Sequence, residues 1–225
     1  MTNREETGQS DVMGAFFNAT RAFAERFSQQ SHDVLSGVTD GKAEGTYIER
    51  QFQEFLLSEC IIPTLGNSAK GIDLPALDCD IKVTSIRQPQ SSSPFTSYKQ
   101  KIEGLGYSLM VFVYDKRDEG HRAYLPFVAV RYRPKELTAD FQTTKGITEL
   151  IARGGNEDDI FAYLVERMIP VDEITLAAYA RDLLLHPPRV GSLTISNAQQ
   201  WRLQYKRVID SPIEGIVNLY ASESV

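Results

Sequence analysis

Gly71-Ile-Asp-Leu-Pro-Ala-Leu-Asp-Cys-Asp-Ile-Lys-Val-Thr-Ser85 alternates polar and apolar residues from Asp78 onward. Asp78, Asp80, Lys82 and Thr84 fall on one side, and Cys79, Ile81 and Val83 on the other. Period-two alternation with β-branched residues reads as a strand, whose successive side chains point to opposite faces. Asp80 and Lys82 therefore project side by side. Asp73 lies upstream across Leu74–Leu77, where Pro75 interrupts regular pairing; a turn there folds Asp73 back beside Asp80. Two close carboxylates repel each other unless a cation sits between them, and hard oxygen ligands suit Mg²⁺. The same letters also fit a solvated edge strand carrying a chance Asp–Lys pair.

Upstream of this strand, residues 11–35 carry Met13, Phe16, Phe17, Phe23, Ala24 and Phe27 at helical spacing, with Ser10 or Asp11 as cap. That stripe suits a core or a dimer surface, and residues 1–10 are expected to be disordered. Gly37, Asp40 and Gly41 mark a loop. A second helix is expected from about Thr46 to Cys60 on the stripe Tyr47, Ile48, Phe52, Phe55 and Leu56, flanked by Glu49, Gln53 and Glu54. Gly45 at its start permits close approach to a sheet. Glu49 stands out because its helix directly precedes the Asp/Lys strand, although a glutamate in such a place is commonly just a solvated one.

Downstream, Ser85–Phe95 is a polar, proline-punctuated loop that cannot be helix or central strand. Its Arg87, Gln88 and Gln90 have side chains suited to base edges, and serines such as Ser92 suit phosphate oxygens. A plain surface loop is the other reading. Residues 96–105 read as a helix with Lys99 and Lys101 partly exposed, Tyr107–Tyr114 as a buried strand, and Ala123–Arg133 as a further strand with an irregularity at Pro126. Helices are expected over 144–152, 157–169 and 171–185. A last one, over 195–209, carries Gln200 and Arg202, either to enter a groove or as a solvated helix anchored by Trp201, Leu203 and Tyr205. The fold class is thus α/β: a mixed β-sheet flanked by helices, with helical N- and C-terminal additions, read as one domain over 1–225 with its core in 44–133 and a helical part in 134–225.

The chain has 225 residues, 42% hydrophobic and 24% charged, an ordinary globular composition. No apolar run is long enough to span a bilayer, and the polar, acidic start is no signal peptide. Cys60 and Cys79 form neither a spaced metal motif nor a disulfide framework, so a cytoplasmic, reducing setting is expected. The net charge of −6 argues against a polyanionic partner, but its distribution does not. Residues 84–145 carry ten basic and six acidic side chains, whereas 1–83 carry seven and thirteen. The segment directly after the Asp/Lys strand is the basic one, and local charge decides where phosphates dock.

Asp73 followed by Asp80-Ile81-Lys82, preceded by a helix carrying Glu49, resembles the PD-(D/E)XK nuclease superfamily and, within it, type II restriction endonucleases. Asp80-Ile-Lys-Val-Thr-Ser85 is similar to the D-I-K form of the EcoRV and HincII type. The resemblance covers about residues 44–133. Ile72 stands where the family has proline, and Asp78 is a second available carboxylate. The resemblance implies a restriction-endonuclease-like core that binds double-stranded DNA as a homodimer, the first helix being a candidate dimer element. It implies Mg²⁺, with Mn²⁺ able to substitute, held by Asp73, Asp80 and the Ile81 carbonyl, with Glu49 at a second or outer-shell ion and Lys82 at the attacking water. It brings Arg87, Gln88, Gln90, Ser92, Lys99, Lys101, Gln200 and Arg202 forward as DNA contacts.

The leading expectation is a sequence-specific, Mg²⁺-dependent endonuclease. A repair or mobile-element nuclease of the same fold comes second, and a non-catalytic DNA-binding protein third. A small-molecule α/β enzyme is last, because there is no glycine-rich phosphate loop and no nucleophile–histidine arrangement.

Overall fold

The computed structural model describes residues 2–64, 71–196, 202–210 and 213–222. In chain order the first elements are α1 (Thr2–Gln29), α2 (Gly41–Ser58), β1 (Cys79–Ser85), β2 (Gln90–Ser92), α3 (Tyr98–Glu103) and β3 (Ser108–Tyr114). Then come β4 (Arg117–Glu119), β5 (Arg122–Tyr124), β6 (Phe127–Arg133), α4 (Phe141–Ala152), α5 (Glu157–Glu166) and α6 (Glu173–Leu185). The chain closes with β7 (Thr194–Ile195), β8 (Arg202–Gln204), α7 (Lys206–Asp210) and β9 (Val217–Ala221). The elements make an α/β fold with a mixed sheet flanked by helices. They divide into two compact units, one of residues 1–89, 109–132 and 217–225, the other of 90–108 and 133–216.

The first unit is built on a four-stranded sheet of order β1-β3-β6-β9. β3 is buried along its whole length, as its continuous apolar run requires. β1 is an edge strand, bonded within the sheet to β3 alone. α1 and α2 cover the sheet with the two aromatic stripes read from the sequence. Phe16, Phe23 and Phe27 of α1 meet Ile48, Phe52 and Leu56 of α2 over Phe112 and Phe127 of the sheet. The Phe52 and Phe112 rings meet edge to face at 4.8 Å. Thr20, in the middle of the α1 stripe, is fully buried and donates its hydroxyl to the Phe16 carbonyl at 2.8 Å, so burial leaves it satisfied. The α1 stripe, a candidate dimer surface on sequence alone, is taken up by the chain's own core. α1 begins at Thr2 rather than near Ser10, so the segment expected to be disordered enters the helix.

The fourth strand comes from the far end of the chain. β9 pairs antiparallel with β6, Ala129 opposite Ala221 and Tyr132 opposite Val217, across a bulge at Val130/Arg131. Arg131 donates to the Tyr220 carbonyl at 2.6 Å and clamps the bulge. The sheet therefore draws a strand from outside 44–133.

The second unit packs α3 to α6 around Ile102, Ile147, Ile160, Leu164, Leu176 and Leu183, beside a small sheet of order β2-β8-β7. α5 starts at a capping box between Asn156 and Asp159, and α6 is capped by Asp172. Two expectations change here. The stretch 195–209 is not one helix: Arg202–Gln204 is a strand, with Leu203 and Tyr205 buried and Arg202 and Gln204 exposed, a period of two rather than 3.6. The proline-punctuated loop contains β2, an edge strand whose Ser92 lies opposite Arg202. Among the described residues no helix is long and apolar enough to cross a membrane.

Truncating Phe52 removes the ring where both helices meet β3. Phe52→Ala should cost about 3–5 kcal/mol of unfolding free energy, read as a lower denaturation midpoint. A loss under about 1 kcal/mol would show that this contact is not the centre of the unit.

Candidate active site

The turn expected between Asp73 and the strand is a 3-10 turn over Pro75–Leu77, closed by reciprocal backbone bonds between Leu74 and Cys79. Asp78 ends it in the left-handed region, at φ 48°, and is exposed. Closing the turn between Leu74 and Cys79 leaves the flanking residues Asp73 and Asp80 facing each other. The Asp73 backbone N–H points at Asp80 Oδ1 at 3.4 Å, and the Ile81 N–H donates to Asp73 Oδ2 at 2.8 Å. On a strand, the N–H and C=O of one residue point to the same side. The Ile81 carbonyl therefore faces the free edge of β1, on the side where Asp73 sits.

Lys82 is the neighbour of Asp80 on its strand face, and its Nζ lies 2.6 Å from Asp80 Oδ2. The Asp80 side chain is only 4% exposed and that of Lys82 24%, so this is a nearly buried ion pair with one end open. The solvated-strand reading of these letters does not hold, because Asp80 and Thr84 are buried. α2 packs along the Val83 side of the strand, and its Glu49 interacts with Asp73, Asp80 and Lys82. Glu44, Ile48, Phe52 and Leu56 make the buried row of this helix, and Gly45, Glu49 and Gln53 make the row beside it. A Cβ at Gly45 would lie 3.7 Å from the Val83 Cβ, which shows how near helix and strand run. Glu49 brings a third carboxylate against Asp73, and Gln53 reaches the Asp73 carbonyl with its amide at 3.4 Å.

The electrostatics follow from this crowding. Burial, a hydrogen bond to Asp80, and the Asp80 and Glu49 charges push the Asp73 carboxyl up to about 8. The Ile81 N–H opposes the shift. Glu49 is also raised, chiefly by burial, while its hydrogen bond to Asp73 and the Lys82 charge pull it back. A divalent cation among these oxygens would replace the shared proton. Among the described residues, no three His, Cys, Asp or Glu side chains form a ready-made metal cage. Mg²⁺ does not call for one, because it commonly binds through one or two carboxylates, waters and substrate phosphates. Asp73, Asp80 and the Ile81 carbonyl fit that pattern.

The DNA-contact candidates fare unevenly. Arg87 and Gln88 are exposed just past the end of β1, and Thr84, buried under the loop, donates to the Gln88 carbonyl at 3.4 Å. Arg87 is braced by Asp115 Oδ1 at 3.3 Å and the Lys116 carbonyl at 2.7 Å, yet its side chain stays 69% exposed. In the second unit Ser92, Lys99 and Arg202 are exposed and Gln90 is half-buried. Lys101 corrects the expectation of exposure. It is fully buried, donates to the Arg167 carbonyl at 3.4 Å, and is brought down to about 8 by burial. It is buried together with Ile102 on α3. Gln200 lies outside the described residues. Gln53 is the site neighbour whose contact no motif marks; its only sequence signal is its place one helical turn after Glu49.

Comparison with known proteins gives two findings. The family model described as type II restriction enzyme NspV matches residues 12–218. A type II restriction enzyme NspV from Nostoc sp. (strain ATCC 29411 / PCC 7524) is 53% identical over 191 residues, covering 83% of this chain and 86% of the relative. No solved structure matches the chain.

Two outcomes test this geometry. Asp78→Gly, which suits the left-handed turn, should keep the activity that Asp80→Asn loses; the reverse would exchange their roles. A carboxyl held above its ordinary range favours the folded state below that range, and this stability is lost as pH rises through the folded value. The metal-free protein should therefore lose melting temperature from about pH 4 to about pH 8, and Asp73→Asn should flatten the fall. Equal falls in both proteins would contradict the crowding.

Proposed function

We propose that this chain, which belongs to the NspV family of type II restriction enzymes, cuts double-stranded DNA at a short specific sequence with the side chains of Asp73, Asp80 and Lys82. The observation that supports this site is the set of carboxylates crowded on the free edge of β1 with one lysine at its open end. The arrangement fits a catalytic set of the PD-(D/E)XK kind. Asp73, Asp80 and the Ile81 carbonyl would hold Mg²⁺, or Mn²⁺ in its place, with Glu49 in its outer shell. Bound there, the ion supplies Lewis acidity toward the phosphate and a water of lowered pKa.

The chain's own groups do the rest. Lys82 orients the attacking water and offsets the negative charge that grows on the phosphoryl oxygens. Asp80 keeps the lysine in place through their ion pair. The Ile81 N–H fixes the orientation of the Asp73 carboxylate. Burial of Asp80 keeps bulk water from this ion pair, which strengthens it. Arg87 and Gln88, on the loop that leaves β1, are the proposed readers of sequence in the first unit. Gln90, Ser92, Lys99 and Arg202 are proposed DNA contacts in the second. The active form is proposed to be a homodimer, since two symmetric copies suit a two-fold symmetric DNA site.

Plasmid DNA incubated with the protein and Mg²⁺ should give discrete fragments. Asp80→Asn and Lys82→Ala should each lower the cleavage rate roughly 10²–10³-fold or more, with far-ultraviolet circular dichroism unchanged. A fully active Asp80→Asn protein would overturn the site assignment. Arg87→Ala and Gln88→Ala should weaken the preference for the cognate sequence; an unchanged preference would remove the loop from recognition.

A further inference from the structure

Gln53 takes no part in the chemistry proposed above, yet it touches the backbone of the residue on which that chemistry turns. Asp73 belongs to no helix or strand. Its position rests on contacts made to it from outside. The Ile81 N–H fixes its carboxylate at 2.8 Å, Asp80 Oδ1 receives its N–H at 3.4 Å, and the Gln53 amide reaches its carbonyl at 3.4 Å. Two of these three anchors lie on β1. From α2, Glu49 bonds the Asp73 side chain, and Gln53 holds its main chain.

The position of Gln53 follows from matched repeats. Four residues of helix rise about 6 Å, and two residues of strand about 6.6 Å. A helix lying along a strand therefore presents every fourth residue to every second strand residue. α2 runs along β1 in this way and in the opposite direction. Gly45 lies against Val83, Glu49 interacts with Lys82, Asp80 and Asp73, and Gln53 falls at Asp73 itself. The row Gly45–Glu49–Gln53 thus reads as close approach, carboxylate, neutral donor. The order suits the site. Glu49 and Asp80 both repel an ionised Asp73, and that repulsion drives Asp73 off the strand edge unless something holds its main chain. A neutral amide does so without adding charge. A carboxylate in its place would face the Asp73 carbonyl with no donor at all.

We propose that Gln53 is a positioning residue of the cleavage site: it holds the Asp73 main chain against α2, so that the Asp73 carboxylate stays aligned with Asp80 for a divalent cation. The inference rests on the metal-binding reading of Asp73 and Asp80. In this role Gln53 acts through Asp73 and not on the cation or the DNA.

Mn²⁺ binding to the full chain, followed by the electron paramagnetic resonance signal of the free ion, tests it without reference to turnover. Gln53→Met keeps the shape and loses the donor; Gln53→Glu keeps the shape and reverses the polarity. Each should weaken Mn²⁺ binding about fivefold, the effect of one neutral hydrogen bond. Each should also raise the Mg²⁺ concentration for half-maximal plasmid cleavage by a similar factor, while the rate at saturating Mg²⁺ changes much less. A merely structural role would lower the melting temperature and leave the Mg²⁺ requirement untouched. Wild-type affinity in Gln53→Met would overturn the inference. Asp80→Asn separates the two levels of the account. If it binds Mn²⁺ as wild type does, the metal site fails and Gln53 falls with it. If it loses Mn²⁺ while Gln53→Met keeps it, only the role of Gln53 fails.

Discussion

Three carboxylates and one lysine share the free edge of β1, and the arrangement is stable only if something positive comes between the acids. Without a cation, a proton held on Asp73 to about pH 8 and the nearly buried Lys82–Asp80 pair do that work. Most of the first unit serves to keep these groups together. The 3-10 turn brings Asp73 back, β3 fixes β1 from its other edge, and α2 runs along β1 and brings Glu49 and Gln53 to Asp73. Folding has thus concentrated negative charge in one place, in a chain of net charge −6. For the binding of a polyanion, local arrangement outweighs the total.

The scaffold under the site is held in two ways. Aromatic packing of α1 and α2 on β3 and β6 sets the distance between helix and sheet. A polar knot then sets the register at the N-terminal end of α2. Glu44 accepts a short hydrogen bond from Tyr114 and an ion pair from Lys116 at 3.3 Å, and Lys116 also bonds the Val38 carbonyl. Burial and Glu44 raise the Tyr114 hydroxyl, which stays protonated and donates. Glu44 and Glu49 lie on adjacent rows of one helix, one committed to the fold and the other turned to the site. Their neighbourhoods, rather than their identity, separate the two roles.

Much of this was legible in the letters. Alternation over Asp78–Thr84 gave the strand, Pro75 the turn, and the spacing of Phe16, Phe23, Phe27, Ile48 and Phe52 the two core helices, because burial on one face imposes a period on sequence. That Glu49, Asp73, Asp80 and Lys82 lie close together could be read because they sit on or beside elements with clear periods. The exposed place of Asp78 could not be read, since it depends on the left-handed backbone angle of the turn. Lys101 misled because a lysine carries no mark of the carbonyl that will receive it. β9 was missed because five residues after a break carry too short a pattern, and its partner β6 lies far away in sequence. Gln53 was noted only as flanking an apolar stripe; its contact depends on how α2 and β1 align. Restriction over repair or mere binding rests on the kinship with the NspV enzymes, which no local pattern supplies.

Diffraction from crystals of the protein with DNA and Mn²⁺, collected at a wavelength where Mn²⁺ scatters anomalously, tests the central claim most directly. The account predicts an anomalous peak between the Asp73 and Asp80 carboxylates, in reach of the Ile81 carbonyl and a DNA phosphate. A peak elsewhere, with those two carboxylates still joined by a proton, would contradict it.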